Sequence, residues 1–263
     1  MSPRYALPVG LLAALLLAGC ATAPTAPTAP GAQPAAAGDG DPVVHDPLER
    51  MNRGIFAFNE GIDRWFLEPV ATGWDFVMPD PVELAIQHFF RNLNFPVVFV
   101  NDLLQAKPVA AVEDLGRFMI NSTAGVAGFF DPATHLGMPE SDEDFGQTLG
   151  VWGVPAGPYL VLPVLGPSNP RDTGGLVVDS ATRVYTFFLP IYVNIASTSV
   201  SIVNRRSRLL ETIREERKAA FDFYAAVRNA YVQRRENQIG DRKPKSEESD
   251  DDLYDVDLSD DSQ

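Results

Sequence analysis

A mainly α fold is predicted for this chain of 263 residues. Apolar side chains recur at alternating three- and four-residue spacing, start signals built on Pro precede the periodic runs, and strand-like alternation is nearly absent. The first helix opens at Asp46-Pro47, where Asp46 suits the N-cap, Pro47 the first helical position, and Glu49 completes a box-like spacing. Leu48, Met51, Ile55, Phe58, Ile62 and Trp65 then share one face. Asp80-Pro81 repeats the signal ahead of Leu84, Ile86, Phe89 and Phe90, and a further helix is predicted across residues 109–118. Ser141 and Asp144 open a short helix. Asn169-Pro170 open another, with Asp172 at its third position and a stripe of Val177, Ala181, Val184 and Phe188. Residues 202–238, rich in Arg and Glu, read as helical throughout. The best strand candidate is residues 159–164, interrupted by Pro163.

Residues 145–170 form a run of 26 positions without Asp, Glu, Lys or Arg. A bilayer span needs about 20 apolar residues, so the run is long enough to cross. It cannot cross as a helix, because Gly146, Gly150, Gly153, Gly157 and Gly166 alternate with Pro155, Pro158, Pro163, Pro167 and Pro170. Irregular backbone at membrane depth is tolerated only when buried in protein or lining a cavity. The stretch is therefore expected to be a buried loop or part of a lined passage. A second uncharged run, residues 184–204, is broken by Pro190, and a third, residues 118–130, is loosened by Gly125 and Gly128. Together they point to helices lying in or near a membrane interface, which need apolar residues beyond a single core stripe. Phe56 beside Phe58 and Phe187 beside Phe188 provide them. The competing reading is a soluble bundle with ordinary core helices.

The ends of the chain differ from its body. Arg4, an apolar stretch over residues 6–18 and small residues before Cys20 have the layout of a secretory signal covering residues 1–19. The sequence Leu17-Ala18-Gly19-Cys20 resembles the lipobox of bacterial lipoproteins, which makes Cys20 the expected lipidation site. Each buried methylene of an acyl chain adds about 0.8 kcal/mol, so several chains anchor durably without a transmembrane helix. Ala21 follows, where an Asp would resemble an inner-membrane retention signal; an outer-membrane anchor facing the periplasm is expected. Residues 20–44, nearly all Ala, Pro, Thr and Gly, read as an extended tether. Residues 45–240 are the expected folded domain, and residues 241–263 an acidic, disordered tail. Residues 246–263 hold nine of the 35 acidic residues and no basic one, which leaves the rest of the chain only mildly acidic against a formal net charge of −14. The tail is read as a solvating extension or as a docking strip for a basic partner. Nothing in this charge distribution suggests nucleic-acid binding.

Enzyme signatures are missing from the sequence. There is no G-x-S-x-G elbow, no H-E-x-x-H, and no cysteine cluster for zinc. His45, His88 and His135 are too scattered to nominate a triad, so no catalytic residue, metal or cofactor is expected.

Residues 144–175, DFGQTLGVWGVPAGPYLVLPVLGPSNPRDTGG, resemble the signature of the MlaA (VacJ) lipoproteins, F-G-x-T-L-G-x-x-G-V-x-x-G-P-Y-x-x-L-P-x-x-G-x-x-x-x-R-D. Flanking matches include D-P-L-E from Asp46, Asn52-Arg53 and Phe58-Asn59. Arg117-Phe118, Asn121, the G-x-x-G-F-x-D-x-A run from Gly125, Ala230-Tyr231 and Gln233-Arg234 extend them. The resemblance covers roughly residues 45–240; the long acidic C-terminus and the A-P-T linker depart from it. It implies a ring of largely interfacial helices embedded in the inner leaflet of the outer membrane, with a short Gly/Pro-rich hairpin and no regular sheet. It also implies an amphipathic channel through which mislocalised phospholipid leaves the outer leaflet. Trimeric porins and a soluble periplasmic lipid-carrier protein are the implied partners, and lipid asymmetry the implied outcome. The alternative is a structural porin-binding lipoprotein that moves no lipid.

On this resemblance the channel and hairpin positions are Phe58, Asn59, Gly153, Gly157, Pro158 and Tyr159, followed by Leu160, Leu162, Pro163, Leu165, Gly166 and Arg171. Tyr159 and the three leucines would form an apolar wall and Arg171 would attract phosphate, while the glycines would let a hairpin flex. Core packing for Tyr159 and the leucines, and an ion pair with Asp172 for Arg171, are the competing readings.

Overall fold

A computed structural model describes residues 46–183 and 185–241. The expected signal peptide, the lipidated Cys20, the tether, Val184 and the acidic tail beyond Asp241 lie outside the described residues.

The expected helical class is found. Helix α1 (Glu49–Ile62) runs through a π-helical turn (Asp63–Leu67) into α2 (Glu68–Val77). Helix α3 (Asp80–Leu104) carries Pro96 in its interior and is followed by α4 (Pro108–Thr123) and the short α5 (Pro132–His135). Next come α6 (Phe145–Val151), the antiparallel hairpin of β1 (Leu160–Leu162) and β2 (Gly166–Ser168), and α7 (Pro170–Thr182). The chain closes with α8 (Tyr185–Phe188), α9 (Ile191–Arg208), α10 (Leu210–Ala219) and α11 (Phe223–Ile239).

The caps read from sequence do the work expected of them at two of these helices. Asp144 accepts from the amide of Gln147 at 2.8 Å to start α6, and Asn169 accepts from the amide of Asp172 at 2.8 Å to start α7. Helix α7 stops at Thr182, short of the stripe expected to reach Phe188. The Thr182 hydroxyl donates to the Asp179 carbonyl at 2.9 Å, the acceptor that a helical residue 183 would use. The helical stretch over residues 202–238 is likewise divided, at Leu209 and at residues 220–222, where Asp222 caps α11 through the amide of Ala225.

Packing closes a circuit. Helix α2 lies against α9, α9 against α3, α3 against α6, and α6 against α11. Helix α11 meets β2, β2 pairs with β1, and β1 packs on α1, which leads back to α2.

The molecule is turned inside out relative to a water-soluble bundle. Among the described residues only nine apolar side chains are buried, against 17 polar or charged ones, including Asn52, Glu83, Asn101, Asp102 and Gln147. Large apolar residues instead face outward: Trp65 is 88% exposed, Phe76 90% and Phe188 81%. The Met51, Phe58 and Trp65 face of the first helical segment, which has the period of a core stripe, looks outward. Phe56, on the opposite side of α1, packs inward on Phe223 and Tyr224 with ring centroids at 5.8 and 5.4 Å. Exposed apolar surface on this scale marks a membrane or partner contact. No helix among the described residues is long and apolar enough to cross a membrane.

Candidate functional site: an amphipathic cavity inside the ring of helices

Part of this circuit borders an open cavity of about 1180 Å³, lined by α3, α4, the 140–144 segment, the hairpin, α7, α9 and α11. Ordinary small-molecule pockets run to about 300–1,000 Å³. One part of the wall is apolar: Phe90 and Phe95 from α3, Phe118 from α4, Leu162 and Leu165 from the hairpin, and Leu176 from α7. Phe95 and Phe118 stack with centroids 4.4 Å apart. The remainder is polar and strongly charged, with both signs present.

Most of that charge is tied into networks that hold the ring together. Asp172 accepts from Arg235 at 2.8 Å, Arg171 at 3.0 Å, Asn169 at 2.8 Å and Tyr231 at 2.5 Å. Burial works against this carboxylate, but the hydrogen bonds from Arg235 and Tyr231 prevail and hold its pKa below the ordinary value. Burial likewise opposes the Asp144 carboxylate, which Arg235 grips at 2.6 and 3.0 Å and holds low. Across the cavity, Arg117 pairs with Asp131 at 2.8 Å, and Asn121 donates to the same carboxylate at 2.8 Å. Outside the cavity, Arg206 and Arg217 clamp Asp63, joining the π-helical turn to α9 and α10.

A third group sits where α3 turns towards α4. Asp102 is fully buried, and neither of its oxygens meets a donor among the described residues. Burial, reinforced by neighbouring Asp114, pushes its carboxyl up to about 8, so near neutral pH it carries a proton and can donate to Asp114. Beside it Gln105 donates to Glu143 at 2.7 Å, and Thr148 donates to Asn101 at 2.8 Å.

The twelve channel and hairpin positions are distributed as follows. Leu162 and Leu165 reach the cavity. Tyr159 is buried in an aromatic cluster with Tyr224 and Tyr231, next to Val161. Arg171 is buried in its ion pair with Asp172, and Phe58 is exposed on the outer face of α1. Asn59 braces the hairpin, donating to the Leu162 carbonyl at 2.9 Å and accepting from the Val164 amide at 2.8 Å. Leu160 belongs to β1, Pro163 follows it, and Pro158 precedes the buried Tyr159. Gly153, Gly157 and Gly166 all have positive φ, and a Cβ at Gly157 would lie 3.1 Å from the Pro170 ring.

Two sets of residues have roles that the sequence reading does not assign. Asn52 is fully buried, donates to the Tyr159 carbonyl and accepts from the Val161 amide, both at 2.9 Å, and so anchors β1 to α1. Its partners stand over a hundred positions away, and no local pattern announces them. The other set is the inner face of α9, where Ser197, Thr198, Ser201, Arg205 and Arg208 line the cavity. Their helical spacing inside and just beyond an uncharged run was the available signal.

Comparison with known proteins accords with this architecture. The MlaA lipoprotein family model matches residues 44–238. The intermembrane phospholipid transport system lipoprotein MlaA of Haemophilus influenzae is 36% identical over 221 residues, covering 81% of this chain and 88% of that protein. Its Escherichia coli counterpart is 32% identical over 234 residues, covering 85% and 92%. A solved structure, described as the structural basis for maintenance of bacterial outer membrane lipid asymmetry, superposes with a TM-score of 0.65 at 33% identity. It covers 74% of this chain and 99% of its own. With more than half its length matched by the family model and two curated relatives above 30% identity, this chain belongs to the MlaA lipoprotein family.

Proposed function

We propose that this protein is an outer-membrane lipoprotein, anchored through Cys20 in the periplasmic leaflet, that gives mislocalised phospholipid a path out of the outer leaflet. The observation that carries the reading is the inversion of the molecule: an apolar exterior around an interior cavity with one apolar and one charged side. An apolar exterior matches a leaflet of acyl chains. A phospholipid is itself amphipathic, and the Phe95–Phe118 side suits its tails while the arginine-bearing side suits its headgroup. Of the twelve channel and hairpin positions, Tyr159 and Arg171 are proposed to support the passage from behind its wall, and Phe58 to face the leaflet. Leu162 and Leu165 contribute to its apolar wall, and the Asn52- and Asn59-braced hairpin with Gly153, Gly157 and Gly166 closes one side.

Movement through such a path needs no energy source in this chain, because lipid in the wrong leaflet runs down its own free-energy gradient. A trimeric porin that holds the protein in place and a soluble periplasmic carrier that accepts the lipid complete the proposal. No catalytic step is assigned to any residue.

Surface-accessible phospholipid in a deletion strain, probed with an external phospholipase, tests this. Restoring the gene is expected to clear the outer leaflet, and Gly157→Pro, which cannot adopt the positive φ, is expected to fail. An unchanged leaflet in the deletion strain would favour a porin-binding scaffold instead.

A further inference from the structure

Seven arginines border the cavity, and they fall into two classes. Four are matched to carboxylates: Arg91 to Glu140 at 2.7 Å, Arg117 to Asp131 at 2.8 Å, Arg234 to Asp142 at 3.0 Å and Arg235 to Asp144 at 2.6 Å. Arg183, Arg205 and Arg208 have no carboxylate within 4.0 Å among the described residues. The Nε of Arg183 is buried without any acceptor. A guanidinium stays charged at every physiological pH. That of Arg183 is partly buried and costly to leave unmatched, while those of Arg205 and Arg208 stand exposed at the cavity, open to an anion.

The surroundings of these three define what would match them. Thr198, Ser201, Arg205 and Arg208 follow one another at three- and four-residue steps along the inner face of α9. The hydroxyls of Thr198 and Ser201 have no hydrogen-bond partner among the described residues, whereas neighbouring Ser197 and Ser199 are satisfied by backbone carbonyls. Free hydroxyls and adjacent guanidinium groups together are a donor array for a multi-oxygen anion. Apolar groups line the same cavity: Ile202 on α9, Leu209 at its C-terminal end, Leu176 on α7 and Leu165 at the hairpin. A free inorganic anion has no use for that flanking surface. An amphiphile whose phosphate adjoins acyl chains uses both.

We propose that Arg205 and Arg208, with Arg183 and the Thr198 and Ser201 hydroxyls, form the site that holds the phosphodiester of a glycerophospholipid inside the cavity. This rests on the reading of the cavity as a lipid passage and adds the residues that recognise the lipid. The phosphodiester is common to phosphatidylethanolamine and phosphatidylglycerol, so recognition is of the phosphate, with the rest of the headgroup left towards the open side.

The test uses the purified full chain in detergent and native mass spectrometry. Bound phosphatidylglycerol, phosphatidylethanolamine and diacylglycerol with identical acyl chains are compared. Wild type is expected to retain both phospholipids over diacylglycerol by about tenfold or more, the scale of charge-assisted hydrogen bonds. Arg205→Ala with Arg208→Ala is expected to collapse that ratio to about twofold or less, with helical content unchanged by circular dichroism. The Lys/Lys pair is expected to restore part of it, since lysine keeps the charge but loses the fork. Arg64→Ala, which removes an exposed arginine paired with Glu60 outside the cavity, is expected to leave it intact. Equal retention of phospholipid and diacylglycerol by wild type, or an unchanged ratio in the double variant, would overturn the phosphate site while leaving the passage standing. Retention of neither lipid class would remove the passage reading and the site with it.

Discussion

Single side chains in this molecule are asked to do what an apolar core does elsewhere. Asn52 satisfies both the carbonyl of Tyr159 and the amide of Val161, so truncating it strands two buried backbone groups at once. Asn52→Ala is expected to destabilise the protein by about 2–4 kcal/mol. Its first symptom should be faster hydrogen exchange at the Val161 amide, measurable by mass spectrometry before global unfolding. Asp102 behaves in the opposite way. Its folded-state pKa, near 8, lies far above that of an unfolded Asp. Between about pH 4 and 8 the folded chain therefore keeps a proton that the unfolded chain has released, and stability falls as pH rises through that window. Asp102→Asn, which supplies a donor to Asp114 without a titration, is expected to have a higher thermal midpoint than wild type at pH 8. The gap should close towards pH 4; a gap that does not vary with pH would contradict the shared-proton assignment.

Helices α6 and α7 approach each other at backbone contact. A Cβ on Gly175 would lie 2.4 Å from the amide nitrogen of Gly146, backbone that cannot swing aside, whereas a Cβ on Gly174 meets nothing within 4 Å. Gly175→Ala is expected to cost about 2 kcal/mol or more through overpacking. Gly174→Ala is expected to be neutral or to gain roughly 0.5–1 kcal/mol from helix propensity. Thermal unfolding of the pair checks this, and equal effects would contradict the packing. Start signals were the most legible part of the sequence at this scale, because a cap is local. Asp144 and Asn169 both announced their helices, and residues 159–164 announced β1. Breaks were less legible. Helix α7 ends where Arg183 leaves helical geometry at ψ 80°, which its residue type does not announce, and residues 202–238 have helical composition across both of their interruptions. The direction of a face was not legible at all from periodicity, since Met51 and Phe58 repeat at the same period whether they meet a core or a leaflet. The site was legible only where it is contiguous. The hairpin leucines could be picked out, but Arg183 lies on a different element from Arg205 and Arg208, and only the fold brings them to one cavity.

Taken whole, the molecule has a polar interior stitched by arginine–carboxylate networks, an apolar exterior, and a charged and apolar cavity between them. That partition predicts how it sits in lipid. In a variant with Trp74→Phe and Trp152→Phe, the remaining Trp65, 88% exposed on the outer face, is expected to be quenched strongly by phospholipids brominated on their acyl chains. Quenching only by a water-soluble agent such as iodide would place that face in water and contradict the embedding. The central claim is that phospholipid occupies the inside of the ring as well as surrounding it. Photocrosslinking in cells tests it most directly, with a benzophenone amino acid at Phe118 inside the cavity and, as reference, at Phe76 on the outer face. The account predicts phospholipid adducts at both positions, those at Phe118 diminishing when Gly157→Pro is introduced and those at Phe76 persisting. Adducts at Phe76 with none at Phe118 would show a protein that lies in the leaflet and passes no lipid through its centre.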